Sequence, residues 1–268
     1  MSELAKPAIV HPVTAESVWS RMRVEAATSA AEEPILASFL NATILHHDTL
    51  EAALSYQLAG KLADVEMSAM LWREVATEAY RSKPEIVDAA LADLLSHYER
   101  DPACKYISQA FLYFKGFHAL QSYRISNWLW HQEREPLAFY LQSRISELFT
   151  IDVHPAAKIG KAIFIDHGHG IVIGETTHID DEVSMLHDVT LGGTGKEHED
   201  RHPKIRKGVM LGAGAKVLGN IIGGEGAKVA AGSVVLEDVG PHCTVAGVPA
   251  KPIGPCAGFP ATDMDQKI

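Results

Sequence analysis

The chain has 268 residues, more than one compact domain usually needs, and 47% of them are hydrophobic, enough for a sizeable core. A formal charge of -10 at pH 7 argues against nucleic acid as the main partner, because phosphate binding needs a dense basic face. Three cysteines without Cys-x-x-Cys spacing argue against a disulfide framework or a thiolate zinc site, and no apolar run approaches the roughly 18 residues of a membrane helix. With no basic-then-apolar signal segment, the expectation is a soluble cytoplasmic protein with reduced thiols.

Residues 1 to 13 carry Pro7 and Pro12 and no periodic pattern, and are predicted as a loose arm. From Thr14 to Phe149 the apolar spacing is helical. Asp48 and Glu51 have capping-box spacing beside Leu50, Ala53, Leu54 and Leu58. Ser82-Lys83-Pro84-Glu85 repeats the device ahead of Ile86, Ala90, Leu91 and Leu94, with proline where a first helical turn accepts it. Asp101-Pro102 is predicted to open a helix running through Phe111, Phe117, Leu120, Tyr123 and Trp128. Glu135-Pro136 opens another, with Leu137, Leu141, Ile145 and Leu148 on its apolar side. Aromatic residues at this spacing read as core or subunit interface.

Near Ile151 the composition changes: Gly and Val rise, and aromatics thin out after Phe164. Aliphatic residues now recur every six positions, at Val153, Ile159, Ile165 and Ile171, then after a slip of two at Ile173, Ile179, Met185 and Leu191. The register resumes at Ile205, Leu211 and Val217, passes Gly223, and returns at Val229 and Val235. Neither a helix nor an ordinary strand has that period. Three hexads make one triangular coil, and coils stack at the strand spacing of roughly 4.8 Å. Gly160, Gly174, Gly192, Gly212, Gly214 and Gly232 fit the sharp corners, where a residue without Cβ tolerates positive φ. The polar run from Gly192 to Lys204 interrupts the hexads and reads as a loop projecting from the prism. The fold expected is therefore α+β with two domains: helices over 1-150, a parallel β-helix over 151-250 with the excursion 192-204, and a flexible tail over 251-268.

Seven of fourteen histidines lie between His154 and His202. Two chemistries compete for them. Imidazoles from neighbouring coils or subunits could complete a three-His zinc site, as in the gamma-class carbonic anhydrases on a similar repeat. Alternatively an imidazole could take a hydroxyl proton while an acyl thioester is attacked. Spacing alone leaves both open.

Longer runs narrow the choice. Val153-His154-Pro155-Ala156-Ala157-Lys158-Ile159-Gly160, Ile165-Asp166-His167, Gly170-Ile171-Val172-Ile173-Gly174-Glu175, Val189-Thr190-Leu191-Gly192-Gly193-Thr194-Gly195-Lys196, Asp200-Arg201-His202-Pro203-Lys204-Ile205 and Ala246-Gly247-Val248-Pro249-Ala250 together resemble the serine O-acetyltransferases, a family of hexapeptide-repeat acyltransferases. The likeness extends upstream to Asp101-Pro102-Ala103 and Phe117-His118-Ala119-Leu120-Gln121-Ser122-Tyr123-Arg124. It implies a left-handed coil and transfer of acetyl from acetyl-CoA to the hydroxyl of L-serine in cysteine biosynthesis, under feedback by L-cysteine. Acetyl-CoA is then a co-substrate, with no permanently bound cofactor and no metal.

The same resemblance implies roles for single residues. His167 is the general base, Asp152 orients and charge-balances it, and Arg201 with His202 receives the serine carboxylate. Asp101 and Asp166 take the ammonium group, and Glu175 is an acid near the site. Backbone N–H groups at Gly193 and Thr194 meet the oxyanion, Ala213 and Ala231 admit the pantetheine arm, and Lys251 meets a CoA phosphate. His154 is read as structural, His169, His187 and His198 as solvated, and His178 as ambiguous. The helical domain is expected to join two trimers into a hexamer and to supply part of the serine site. The terminal Ile268 is expected to enter O-acetylserine sulfhydrylase.

Overall fold

A computed structural model describes residues 14–195 and 198–266, which fall into two compact units, Met1–Phe114 and Lys115–Ile268. The predicted arm at residues 1–13 and the terminal Ile268 lie outside the described residues.

In the first unit, α1 (Ala15–Glu32) starts at Thr14, whose hydroxyl accepts the Ser17 N–H at 3.1 Å while the Ser17 side chain bonds the Thr14 N–H at 3.0 Å. This reciprocal cap satisfies two of the donors that a helix start leaves over. A 3-10 turn (Pro34–Leu36), α2 (Ala37–Leu40) and a π-helical turn (Asn41–Leu45) follow. The next helix, α3 (Leu50–Leu62), is capped by Thr49 rather than Asp48, its hydroxyl 3.2 Å from the Ala52 N–H. Ser82 is no cap either. It ends α4 (Ala69–Ser82), and α5 (Glu85–Arg100) begins behind Pro84 without a side-chain cap.

Asp101 closes α5 instead of opening a helix. Its carboxylate accepts the Ala103 N–H at 2.7 Å and its carbonyl the Cys104 N–H at 3.1 Å, so Asp-Pro makes a turn. The helix expected from there is two helices, α6 (Ile107–Tyr113) and α7 (Lys115–His131), parted by an extended Phe114. Leu54, Leu58, Trp72, Tyr80, Leu94 and Phe111 form the buried interior of this unit.

The second unit takes in α7 and α8 (Glu135–Phe149), which pack on each other and on the first β-coil. Helix gives way to strand at Ile151, where the composition changes, yet the compact unit begins upstream at Lys115. Hydrogen bonds explain the difference. The Tyr123 hydroxyl donates to the Ala157 carbonyl, Arg124 Nη2 to Gly160 O at 2.7 Å, and Asn127 Nδ2 to Pro155 O at 2.8 Å. These side chains satisfy the carbonyls of a coil end that would otherwise be open. Close approach needs Gly116, since a Cβ there would lie 2.4 Å from Ile165 O.

The β-helix stacks three faces of parallel strands. One carries Ile151–Val153, Ile171–Ile173, Thr190–Gly192, Lys216–Leu218 and Val234–Val235 in that order. The hexad residues point inward: Val153, Ile165, Ile171, Ile173, Ile179, Met185, Leu191, Ile205, Leu211, Val217, Val229 and Val235 are all buried.

Of the six corner glycines, Gly214 and Gly232 have positive φ, at +72° and +68°. The others serve differently. A Cβ on Gly160 would strike the Asp181 side chain at 2.4 Å, and one on Gly212 the Ala231 N at 2.6 Å. They are glycine because a neighbouring coil comes too close for a side chain, and the backbone there is ordinary.

At the far end, Cys243–Gly247 and Ala250–Pro255 pair antiparallel and close the last coil, as a solenoid end requires. The segment expected as a flexible tail thus begins as a strand, and it continues into α9 (Pro260–Asp263). Ala261 is fully buried, its carbonyl accepts the Ser184 hydroxyl at 2.6 Å, and Phe259 lies over Gly208 where any Cβ would be 2.1 Å from its ring. Short apolar contacts on a coil face hold this stretch, and hexad periodicity could not reveal them.

Candidate active site

Register along the β-helix shows where the coil departs from its rule. Ile173 pairs with Leu191, Leu211 with Val229 and Val217 with Val235, each eighteen positions on. Two stretches are longer. Ile165 pairs with Met185, twenty positions on, and Ile179 with Ile205, twenty-six positions on. His167 sits in the first departure, and Arg201 and His202 in the second. The corners are where added residues leave the stacked strands intact.

The two extra residues make a tight bend. His167 takes φ +57°, Gly168 +73° and Gly170 +72°. Gly168 N donates to Asp166 O at 2.6 Å, Gly170 N to Thr150 O at 2.9 Å, and Asp188 N to His169 O at 2.6 Å. Left-handed backbone at a residue with a Cβ is sterically disfavoured, so this bend exists against local preference. It presents the His167 ring outward, 70% exposed, with Nε2 3.7 Å from Asp166 Oδ1 and the His187 ring edge-on at 6.0 Å. Asp152 stands on the strand beneath. Its carboxylate accepts from Gln142 Nε2 at 2.7 Å, and within one chain no hydrogen bond joins it to the His167 ring.

At the second departure His202 is buried, with 7% of the residue exposed. Thr176 holds its ring: the Thr176 N–H donates to His202 Nδ1 at 3.2 Å, while the threonine hydroxyl lies 2.9 Å from the same nitrogen. The hydroxyl oxygen also accepts the N–H groups of Arg201 and His202, at 3.0 and 3.1 Å. A backbone N–H can only donate, so Nδ1 carries the lone pair and the proton sits on Nε2. His202 is thereby a neutral hydrogen-bond donor. Burial pushes its pKa down, aided by the charge of Arg201 and opposed by that of Glu175. The stability linked to this group is present above the ordinary histidine value near 6.5 and is lost as pH falls below it, because the unfolded chain takes the proton more readily.

Gly174 makes room for the ring. A Cβ there would lie 2.0 Å from His202 Nε2 and 2.1 Å from Cδ2.

Arg201 lies with its stem over Gly193, whose added Cβ would be 3.3 Å from Arg201 Cγ. Its Nη2 bonds Glu175 Oε2 at 2.5 Å and its Nη1 the carbonyls of His198 and Glu199 at 3.3 and 3.1 Å. That ion pair holds the Glu175 carboxyl below its usual range. Lys204 staples the loop base, with Nζ at 2.6 Å from Asp200 Oδ1, 2.7 Å from His202 O and 3.0 Å from Thr176 O. His154 joins this group. Its Nδ1 accepts the Ala156 N–H at 3.1 Å, its ring meets Trp130 and Phe139 edge-on, and burial lowers its pKa against the pull of Glu175 and Asp152.

One chain therefore brings together Asp152, His154, Glu175, Arg201 and His202 at one place, and Asp166, His167 and His187 at another. Thr194 is exposed beside Gly219, Ala231 is exposed at a corner, and Lys251 is exposed 3.8 Å from Glu237. Ala213 is partly covered by packing with Leu186, Met210, Ala261 and Met264. Asp101 belongs to the first unit. His178 pairs with Asp180 at 3.4 Å, so it is committed to its own corner. Among the described residues no group of three His, Cys, Asp or Glu side chains is arranged to hold a metal ion.

Sequence reasoning passed over Thr176, Lys204 and Gln142; His187, read as solvated, is exposed and also lies edge-on to His167. Thr176 follows Gly174 in the same corner, but the hexad pattern gave no sign that its hydroxyl and N–H would serve residues twenty-five and twenty-six positions on. Replacing Thr176 tests the arrangement. Thr176→Val removes the acceptor for two backbone N–H groups, each worth about 0.5–1.5 kcal/mol, so denaturant unfolding should show a loss of roughly 1–3 kcal/mol. Thr176→Ser should restore the stability. Nitrogen-15 NMR should show His202 neutral with its proton on Nε2 at pH 6.5; a proton on Nδ1 would refute the assignment.

A comparison with characterised proteins decides the family. The chain is 56% identical over 252 residues to the serine acetyltransferase of Escherichia coli strain K12, covering 94% of this chain and 92% of the relative. The chain belongs to the serine acetyltransferase family. Residues 18–122 also match the family domain described as serine acetyltransferase, N-terminal. A solved serine acetyltransferase in complex with cysteine matches with TM-score 0.94 and 54% identity, covering 95% of this chain and all (100%) of that one. The enzyme from Brucella abortus strain S19 in complex with coenzyme A matches with TM-score 0.89 and 47% identity, covering 90% of this chain and 96% of that one.

Proposed function

We propose that the chain transfers the acetyl group of acetyl-CoA to the hydroxyl of L-serine, giving O-acetyl-L-serine and free CoA, with His167 as the base. The serine oxygen attacks the thioester carbonyl as its proton passes to His167. The tetrahedral intermediate collapses with cleavage of the C–S bond, and the proton leaves with the thiol of CoA. Asp152, whose carboxylate accepts from Gln142 and stands with the His202 cluster of its own chain, is assigned on the resemblance to orient the base and stabilise it once charged, across the boundary between subunits.

The observation that carries this reading is the pairing at the second departure of a guanidinium with a neutral Nε2–H donor. Arg201 and His202 together suit a carboxylate: one supplies charge, the other a hydrogen bond without adding a second positive charge to desolvate. Glu175 keeps Arg201 in place. Asp166 takes the ammonium; Asp101 is assigned to it on the family resemblance alone. The N–H groups of Gly193 and Thr194, beside Arg201, serve the oxyanion. Ala213, Ala231 and Lys251 are assigned to CoA on the resemblance.

His167 and His202 lie in different clusters of one chain, which is the arrangement required if a neighbouring subunit completes each site. A trimeric β-helix, paired into a hexamer through the first unit, is the assembly proposed. L-Cysteine has the carboxylate and ammonium of serine and competes for the same groups. Binding of the sulfhydrylase through Ile268 and a cytoplasmic location complete the proposal. Among the described residues no helix is long and apolar enough to cross a membrane.

Release of free thiol from acetyl-CoA tests the reading. Serine should give saturable release that cysteine suppresses and added serine restores; release with other hydroxylated acceptors and none with serine would overturn it.

A further inference from the structure

The first unit holds a second convergence of cationic and donor side chains that acetyl transfer does not use. A cavity of about 390 Å³ is lined by Ser38, Asn41, His46, His47, Tyr56 and Arg73, and no carboxylate lines it, although the chain carries a formal charge of -10. It opens beside the π-helical turn Asn41–Leu45, a widened geometry that often marks functional positions.

His47 is the informative group. Its side chain is buried, with 5% of the residue exposed, and Nε2 lies 3.0 Å from the carbonyl of Ala42. A carbonyl only accepts, so Nε2 carries the proton and Nδ1 of the neutral ring carries a lone pair. No hydrogen bond to Nδ1 is made by any described residue. That lone pair, on a residue that lines the cavity, is left to solvent or to a ligand. Beyond burial, the charges that act on this ring come from Arg73, His46 and Arg23, and all of them disfavour a further positive charge. The Arg73 guanidinium lies over the Tyr56 ring, 5.6 Å from its centroid, and pairs with no carboxylate among the described residues. Arg23 donates to the His47 carbonyl.

We propose that this cavity binds a small tetrahedral oxyanion, phosphate or sulfate, between Arg73 and His47. Arg73 supplies a forked cationic donor. The anion offsets the local positive charge, so His47 takes a solvent proton on Nδ1 and donates it to the ligand, while Ser38, Asn41, His46 and the Tyr56 hydroxyl offer further donors. The cavity exceeds a bare ion and leaves space for water around it.

Thermal unfolding of the full chain in phosphate, sulfate or chloride at matched ionic strength, without acetyl-CoA, tests the site. Phosphate or sulfate should raise Tm by several degrees in a saturable way, and the tighter of the two identifies the ligand. Arg73→Gln, an exposed position outside the catalytic groups, should weaken the response roughly tenfold or more while acetyl transfer stays at the parent rate. The NMR signals of the His47 ring should shift during the phosphate titration of the parent protein. A response equal to that of chloride, a response kept in Arg73→Gln, or unmoved His47 signals would each overturn the proposal.

Discussion

His167→Ala is expected to lower kcat by about 10²–10⁴-fold, the usual contribution of a positioned general base, while CoA binds as before. The expectation comes from backbone as much as from the ring. Local preference would put glycine at φ +57°, and glycine does fill the same bend at Gly168 and Gly170. A histidine held there presents its imidazole outward from the corner between coils, beside Asp166 and His187. Steady-state thiol release and direct CoA binding, measured on the same preparation, check the result. Turnover within a few-fold of the parent would remove His167 from the reaction.

Gly174→Ala should have the second-largest effect. Its Cβ would fall 2.0 Å from His202 Nε2, and His202 is buried, so the ring cannot swing aside within its pocket. It must leave, breaking the contact with Thr176 N and removing the Nε2–H donor. Loss of a hydrogen bond to a charged group costs about 1.5–3 kcal/mol, so kcat/KM for serine should fall about 10- to 100-fold, carried mainly by KM. The KM for acetyl-CoA should stay close to its parent value. A crystal structure of the variant with the ring still against Thr176 would show the reasoning to be wrong.

These two positions also mark what a reader of the sequence could and could not see. The six-residue spacing named the residues that point into the prism, because one buried position per hexad is what stacked short strands require. It also marked the interruption of the hexads after Leu191, where the strand register steps twenty-six positions. It misjudged why Gly160, Gly174 and Gly212 are glycine. The cause is a neighbour in space, Asp181, His202 or Ala231, and a periodic pattern holds no information about approach between coils. Helix starts failed for a related reason: Asp48, Ser82 and Asp101 all carry capping chemistry, but Thr49 takes the first cap, α4 runs through Ser82, and Asp101 turns the chain. Several residues in a row can serve as a cap, and packing of the following helix chooses among them. The roles given to His167, Arg201 and His202 came from resemblance, and the structure adds the tautomer and the groups that set it.

The unequal coil lengths have a practical outcome for engineering. Because the surplus amino acids bulge from vertices of the triangle, grafting a shorter or differently charged connector between Leu191 and Ile205 should leave the hydrophobic column standing. Acceptor preference could then be retuned by exchanging the part of that connector ahead of Arg201 as a cassette, while Arg201, His202 and Lys204, which bond Thr176, are kept.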